Sequence, residues 1–384
     1  MKILNACPFH LKDDKVRILW EVTPKCNMYC KHCLFFQNTQ KGIEKELNTK
    51  QMYKIIENIA KDKSVNAIWL SGGEPLLRKD IVDICQKISD YNIKPSISTN
   101  GILLNEKLIE KLHNAGVDYI HLSIDGGTAK THEDLRGVKG SFELLMKAMD
   151  MLKESPIKTG ASFMVTEDSI DEMEKVIEIA VDKDLSVMSF YLVAELGRGA
   201  ENFKNQEDGL VYRLQEKMKK IERWRRETNS NLKIEVFRAD SCNEDDEYTD
   251  ENEKNYHEEA VLQECKAEQF LNITYDGKLG GCPWLMKSEQ GFDVGSLLEE
   301  DFLVLKSRCQ NEIKRKNEER KEKMSLCKEC SKKQECGRGC PALQINDNKL
   351  YYGLDPICPN LHAKFTTKID SKQGSENESA LEPV

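Results

Sequence analysis

The chain has 384 residues, 39% of them hydrophobic, enough to bury the core of one large domain and a smaller one. Its formal net charge of −9 argues against nucleic acid and anionic membrane as partners. No run of 18 apolar residues is present, and the first residues lack the basic-then-apolar layout of a signal peptide, so the expected location is the cytoplasm.

From residue 16 onward, short apolar runs alternate with longer amphipathic stretches. The runs 16–22, 65–70, 94–99, 117–124, 157–166 and 186–193 are predicted strands. Helices are predicted between them at 47–62, 78–90, 104–115, 139–154 and 169–183, with a charged one at 205–230. Six β-then-α units imply a parallel sheet with helices on one side. Eight units close a barrel, so six predict an open, partial (β/α)6 barrel of TIM-like type. A doubly wound sheet is the competing arrangement. Residues 240–259 contain ten Asp or Glu and few apolar residues, and read as a solvated linker. The segment 265–358 is rich in cysteine and short of long apolar runs, so bound metal is expected to organise it. Residues 311–323 read as a solvated helix, and the polar end from about 367 as disordered. The expected divisions are therefore 1–237, an acidic linker 238–262, a cysteine-rich domain 263–366 and a tail 367–384.

The chain has fourteen cysteines. Cytosolic thiols are kept reduced, so metal or redox chemistry is the expected use. Ten fall into groups with ligand-like spacing; Cys7, Cys85, Cys242 and Cys309 do not. Cys26-x3-Cys30-x2-Cys33 follows the first strand. Thiolates are the usual ligands of iron–sulfur clusters, and three close ones leave one iron open to a small molecule. Zinc more often takes paired C-x2-C units. Ser71-Gly72-Gly73-Glu74-Pro75 closes the second strand, where two glycines let the backbone approach a ligand and a carboxylate can hold an ammonium. Ser98-Thr99-Asn100-Gly101 ends the third strand and Ser123-Ile124-Asp125-Gly126 the fourth. Further on, Cys265-x11-Gly277-x4-Cys282 precedes Cys327-x2-Cys330-x5-Cys336-x3-Cys340-x17-Cys358.

The cysteine loop, with His32 before its last cysteine, and the GGEP, STNG and SIDG turns resemble the radical S-adenosylmethionine superfamily over about residues 16–200. The resemblance implies a [4Fe–4S] cluster on Cys26, Cys30 and Cys33 whose open iron chelates S-adenosylmethionine, and reductive cleavage to a 5′-deoxyadenosyl radical. It implies cofactor contacts from His32, Gly72, Gly73, Glu74, Thr99, Asn100, Ser123 and Asp125, with Arg136 pairing with the carboxylate. The later cysteines resemble the SPASM extension, which implies two auxiliary [4Fe–4S] clusters. One takes Cys327, Cys330, Cys336 and Cys358; the other takes Cys265, Cys282 and Cys340. Residues 266–276 lack a cysteine that some members carry there, so the second set has an open iron or takes Cys242 or Cys309.

The implied activity is hydrogen abstraction from a C–H bond and oxidation of the substrate, with ferredoxin or flavodoxin as reductant. Maturation of a ribosomally made peptide is the leading expectation. A haem or tetrapyrrole substrate is the alternative, since Leu196-Gly197-Arg198-Gly199, Cys336-Gly-Arg-Gly-Cys340 and Asp355-Pro-x-Cys358 resemble the haem-biosynthesis branch. Sulfatase maturation is disfavoured because Pro283 stands where those enzymes use Asp. A non-catalytic electron carrier or sensor would not need the intact GGEP, STNG and SIDG turns.

Overall fold

The computed structural model describes residues 3–4, 15–35, 45–203, 209–228, 230–237, 261–262, 265, 267–287, 292–341 and 358. The expected acidic linker (apart from 261–262), the tail, Cys7 and Cys242 lie outside the described residues. Among the described residues no helix is long and apolar enough to cross a membrane.

Seven strands run parallel in chain order: β2 (Val16–Thr23), β3 (Val65–Gly72), β4 (Lys94–Thr99), β5 (Tyr119–Ser123), β6 (Lys158–Val165), β7 (Val187–Leu192) and β8 (Lys233–Phe237). Helices α1 (Thr49–Ile59), α2 (Ile81–Ser89), α3 (Glu106–Asn114), α4 (Ala129–Arg136), α5 (Ser141–Lys153) and α6 (Met173–Asp182) lie between them. The six expected strands are all present, and β8 adds a seventh after the charged helix Gly209–Thr228. β1 (Ile3–Leu4) pairs separately with β9 (Val261–Leu262). The main sheet is an open partial barrel whose outer strands are β8 at one edge and β12 (Asp293–Ser296) at the other.

The other edge comes from the cysteine-rich segment. β10 (Phe270–Ile273) pairs parallel to β2, and β11 (Lys278–Gly280) and β12 continue antiparallel. The segment expected to be organised by bound metal is thus also held by the barrel sheet. Phe270, Leu271, Ile273, Leu279, Leu285, Phe302 and Leu305 are buried in the same hydrophobic cluster as the barrel strands. The sequence hid this because the apolar residues come in runs of only three or four, which pack by joining an existing sheet. The helix read as solvated is also longer, spanning Phe302–Lys323, and one stripe of it is buried: Phe302, Leu305, Cys309, Ile313, Asn317 and Arg320. Those residues recur every three or four positions, the period of one helical face.

Strand alternation divides the sheet into two faces. Ile18, Trp20, Val22, Ile68, Leu70, Ile97, Ile120, Leu122, Phe163 and Phe190 are buried with Met52, Ile55, Ile56 and Ile59 of α1. The alternate positions are largely polar or aromatic: Ser96, Tyr119, His121, Ser162, Ser189 and Glu235. On that face the Trp69 ring lies 5.7 Å from Tyr119 and 5.9 Å from His121, and the Tyr119 hydroxyl is 3.2 Å from His121 Nδ1.

Two outcomes are expected. Leu271 has no exposed surface, so Leu271→Ala should cost about 2–5 kcal/mol. Urea unfolding of the metal-free chain measures this; an unchanged midpoint would mean that the segment does not share the barrel core. Burial holds His121 down at about 4, below its ordinary 6.5. The unfolded chain therefore takes up this proton first as the pH falls. The stabilising contribution is complete above pH 6.5 and is lost as the pH falls towards 4, up to about 3 kcal/mol. Urea midpoints across that range should flatten by about one proton in His121→Phe; an identical slope would refute the assignment.

Candidate active site

The three cysteines of the first group sit on the loop after β2, at the C-terminal ends of the strands. Four neighbouring segments grip this loop. From the end of β3, Gly73 N donates to Thr23 O (2.8 Å) and Glu74 N to Lys25 O (2.7 Å). From the end of β4, Asn100 Nδ2 donates to Asn27 Oδ1 (2.8 Å). From the end of α4, the carbonyls of Arg136 and Leu135 accept from Tyr29 N (3.1 Å) and Lys31 N (2.8 Å). From beyond β7, Arg198 N donates to Cys33 O (3.0 Å).

These contacts explain the glycines in a way the sequence did not. A Cβ on Gly73 would stand 2.0 Å from Lys25 O, and one on Gly72, whose φ is +118°, 2.6 Å from Thr23 O. The backbone they admit so closely is the cysteine loop itself. Gly197 does the same beside Cys33 O, where a Cβ would lie at 2.4 Å. The LGRG turn thus has a packing role next to the loop, which its resemblance to one enzyme branch did not reveal. Gly137, at φ +73°, ends α4 against Tyr29 O.

Glu74 is buried, and its carboxylate ties two strand ends together. Oε1 accepts from Thr99 Oγ1 (2.7 Å) and Leu76 N (3.0 Å); Oε2 accepts from Asn100 N (2.9 Å). Burial raises its pKa against the pull of these donors. Two carboxylate oxygens offer about four acceptor positions, so one remains beyond the three in use. Gly72, Gly73, Glu74, Thr99 and Asn100 are thus one connected unit with the cysteine loop. Ser123 ends β5 in register with Ser162.

On the opposite flank, Asp125 is the centre. Its Oδ2 lies 2.5 Å from Arg136 Nε and 3.3 Å from His32 Nε2, and its Oδ1 accepts from Met164 N (2.8 Å). Asp125 N donates to His132 Nδ1 (3.2 Å), so that imidazole nitrogen is the unprotonated one. Arg136 Nη1 reaches Cys30 Sγ at 3.6 Å. Burial pushes His32 and His132 down to about 4, so both are neutral near pH 7. Burial works against ionising Asp125, but Arg136 and then His32 hold its pKa below the usual range. His132 escaped sequence reading because the buried face of helix α4, His132, Leu135 and Arg136, has one apolar residue and so no apolar period to announce it.

The later cysteines are gathered in the same way. Cys265 and Cys282 are buried, and the Cys282 thiol is pushed up to about 12 by burial and then by Cys265. Two amides at the start of the helix Pro283–Lys287, those of Leu285 and Trp284, point at the Cys282 sulfur. Cys309, on the buried stripe of the helix Phe302–Lys323, feels the Cys282 charge, after burial the largest influence on its raised pKa. Cys327, Cys330 and Cys336 are also electrostatic neighbours, with Arg338 beside them. Arg338 N donates to Cys336 Sγ (3.4 Å), and Arg320 Nη2 to Arg338 O (2.9 Å). Asn317 Nδ2 donates to Cys265 O (3.4 Å), so one helix stripe braces both cysteine groups. Cys340 and Cys358 are buried in the shared hydrophobic cluster. Cys85, on α2, is buried in the core.

A second link joins the two parts of the chain. Buried Glu21, on β2, accepts from Asn272 Nδ2 (2.9 Å) and Lys287 Nζ (3.0 Å). Lys287 Nζ also lies 5.6 Å from the Phe35 ring centre, two residues beyond Cys33.

These residues fit a thiolate-bound, negatively charged group. Burial pushes the Cys26 thiol up to about 12 and raises Cys30, so without a metal both stay protonated near pH 7. Buried guanidinium groups stand beside thiols at Cys30 and Cys327. Among the described residues, no three cysteine, histidine or carboxylate side chains converge as a single metal ion would require.

Residues 20–180 match the Radical SAM superfamily. An AdoMet-dependent heme synthase of Methanosarcina barkeri is 27% identical over 350 residues, covering 89% of this chain and 95% of the relative. The Fe-coproporphyrin III synthase of the same organism is 30% identical over 198 residues, and there the match spans about half of each chain (50% and 49%). The mycofactocin maturase of Mycolicibacterium smegmatis is 28% identical over 192 residues, 49% of this chain and 47% of the relative. The fold resembles that of Streptococcus suis SuiB bound to S-adenosylmethionine, with a TM-score of 0.68 and 18% identity over 90% of this chain and 77% of that one. An open parallel barrel, a three-cysteine loop at its strand ends and a sequence match across the same residues agree: residues 20–180 of this chain match the radical SAM superfamily.

Proposed function

We propose that this enzyme uses three [4Fe–4S] clusters, one on Cys26, Cys30 and Cys33 and two auxiliary, to oxidise a tetrapyrrole substrate. The observation that carries the core reading is the cysteine loop itself, stitched to Gly73 and Glu74 and flanked by Arg136. An iron–sulfur cluster takes its cysteines as thiolates. Bound at such a cluster, S-adenosylmethionine supplies a 5′-deoxyadenosyl radical on one-electron reduction.

The chain's own residues bind and orient. The spare acceptor position on Glu74 Oε2 suits the methionine ammonium. Thr99 and Asn100 fix that carboxylate, and their strand end, with Ser123, borders the cofactor. His32, neutral and in contact with Asp125, offers a flat uncharged face for the adenine. One auxiliary cluster is assigned Cys327, Cys330, Cys336 and Cys358, and the other Cys265, Cys282 and Cys340. The Glu21–Lys287 pair holds the Cys282 helix against β2, beside the first loop. Ferredoxin or flavodoxin is the proposed reductant.

The substrate class rests on collinearity: the heme synthase aligns along 95% of its own length. A peptide substrate is the second reading, favoured by the mycofactocin maturase match, which covers about half of each chain. Anaerobic reconstitution should load about twelve irons per chain, and Cys30→Ala should lose about four of them. Dithionite-reduced wild type should release 5′-deoxyadenosine from S-adenosylmethionine, and Cys30→Ala none. Glu74→Gln should weaken cofactor binding, since a hydrogen bond to a charged group contributes about 1.5–3 kcal/mol. Iron-loaded protein that releases no deoxyadenosine would reduce it to a carrier. Turnover of a precursor peptide, with iron-coproporphyrin III unchanged, would favour the second reading.

A further inference from the structure

Arg136 is expected from the resemblance to pair with the cofactor carboxylate. Its surroundings assign it elsewhere. The side chain is nearly buried, and two of its three nitrogens face groups of this chain. Nε faces Asp125 Oδ2 at 2.5 Å, and Nη1 faces Cys30 Sγ at 3.6 Å. A bidentate clamp on a carboxylate uses two parallel N–H groups of the guanidinium fork. Here the fork is divided between a carboxylate of the chain and a thiol of the chain.

The division is fixed from both ends. Asp125 cannot swing away easily, because Met164 N holds its other oxygen at 2.8 Å. The Cys30 sulfur cannot drift from the guanidinium, because both residues flanking Cys30 are bonded to the end of α4. Tyr29 N donates to Arg136 O and Lys31 N to Leu135 O. Backbone and side chain of one helix end thus hold one cysteine. Of the three cysteines, Cys30 is the buried one, where a fixed positive charge is least screened by water.

We propose that Arg136 is a positioning residue that donates to the Cys30 sulfur and raises the reduction potential of the cluster on Cys26, Cys30 and Cys33. This rests on the cluster assignment proposed above. A hydrogen bond to a ligand sulfur draws electron density from it, and hydrogen bonds to sulfur are among the features that set cluster potentials. A reduced cluster carries one more negative charge, so a buried cation beside its ligand favours the reduced form. Asp125 moderates the effect, taking part of the guanidinium charge while aiming it.

The test uses reconstituted wild type, Arg136→Gln and Arg136→Lys, titrated by EPR without S-adenosylmethionine. The relevant signal is the one lost in Cys30→Ala. At a fixed poise, the reduced-to-oxidised ratio should fall about tenfold in Arg136→Gln, equivalent to about 59 mV for a one-electron couple. Arg136→Lys, which keeps the charge and loses the fork, should lie between. Binding of S-adenosylmethionine to the oxidised proteins, by equilibrium dialysis, should stay within about twofold. An unchanged potential with a large loss of affinity would return Arg136 to the carboxylate and overturn the proposal. If Arg136→Gln does not fold, as judged by circular dichroism, Arg136→Lys decides: a wild-type potential there sinks the idea. Wild type that loads no iron on Cys26, Cys30 and Cys33 would instead overturn the cluster assignment itself.

Discussion

Everything at the strand ends depends on how closely the backbone of β3 approaches the cysteine loop. Two amides, from Gly73 and Glu74, donate to carbonyls of that loop at 2.8 and 2.7 Å, and neither glycine position has room for a side chain. That contact fixes where Cys26 begins its turn. It also brings Glu74 under the loop, where Thr99 and Asn100 reach its carboxylate. The cysteine loop and the GGEP and STNG turns, which look like separate motifs in the sequence, are one hydrogen-bonded unit. Each is small and polar because larger or apolar groups would leave buried backbone donors and acceptors unsatisfied.

The opposite flank uses charge in place of close approach. Asp125 gathers Arg136 and two neutral imidazoles in a space with little water. Burying an arginine is costly unless its charge is matched, and the Asp125 carboxylate beside Arg136 matches it. Similar logic recurs at the far end of the chain. Arg320 and Arg338, both buried, lie close to Cys327, and Arg320 donates to backbone carbonyls of the CGRGC loop. The cysteine groups therefore come with built-in positive charge, which suits negatively charged occupants.

Much of this was legible before folding. The β-strands of the barrel stood out because buried parallel strands are short apolar runs bounded by turns. The cysteine loop and its neighbouring turns were legible because chemistry of that kind needs particular residues at particular spacings. Helix α4 was not, since its buried face is His132, Leu135 and Arg136, and only its cap residues Thr128 and Gly137 mark it. Nor was the function of Gly73, because a close approach to a distant backbone leaves no local pattern. The docking of β10 was missed for a related reason. Three apolar residues in a four-residue strand look insufficient until the strand they join is known.

That shared strand has a bearing on how the protein can be divided. β2 is eight residues long and almost wholly buried, and β10 covers its outer edge. A barrel expressed without the cysteine-rich segment would expose a long apolar strand with unpaired amides, the kind of edge that recruits strands from other molecules. Such a fragment should oligomerise or precipitate. The two halves are therefore not separable modules, and an exchange of C-terminal segments between related enzymes would succeed only if the incoming segment brought its own edge-covering strand.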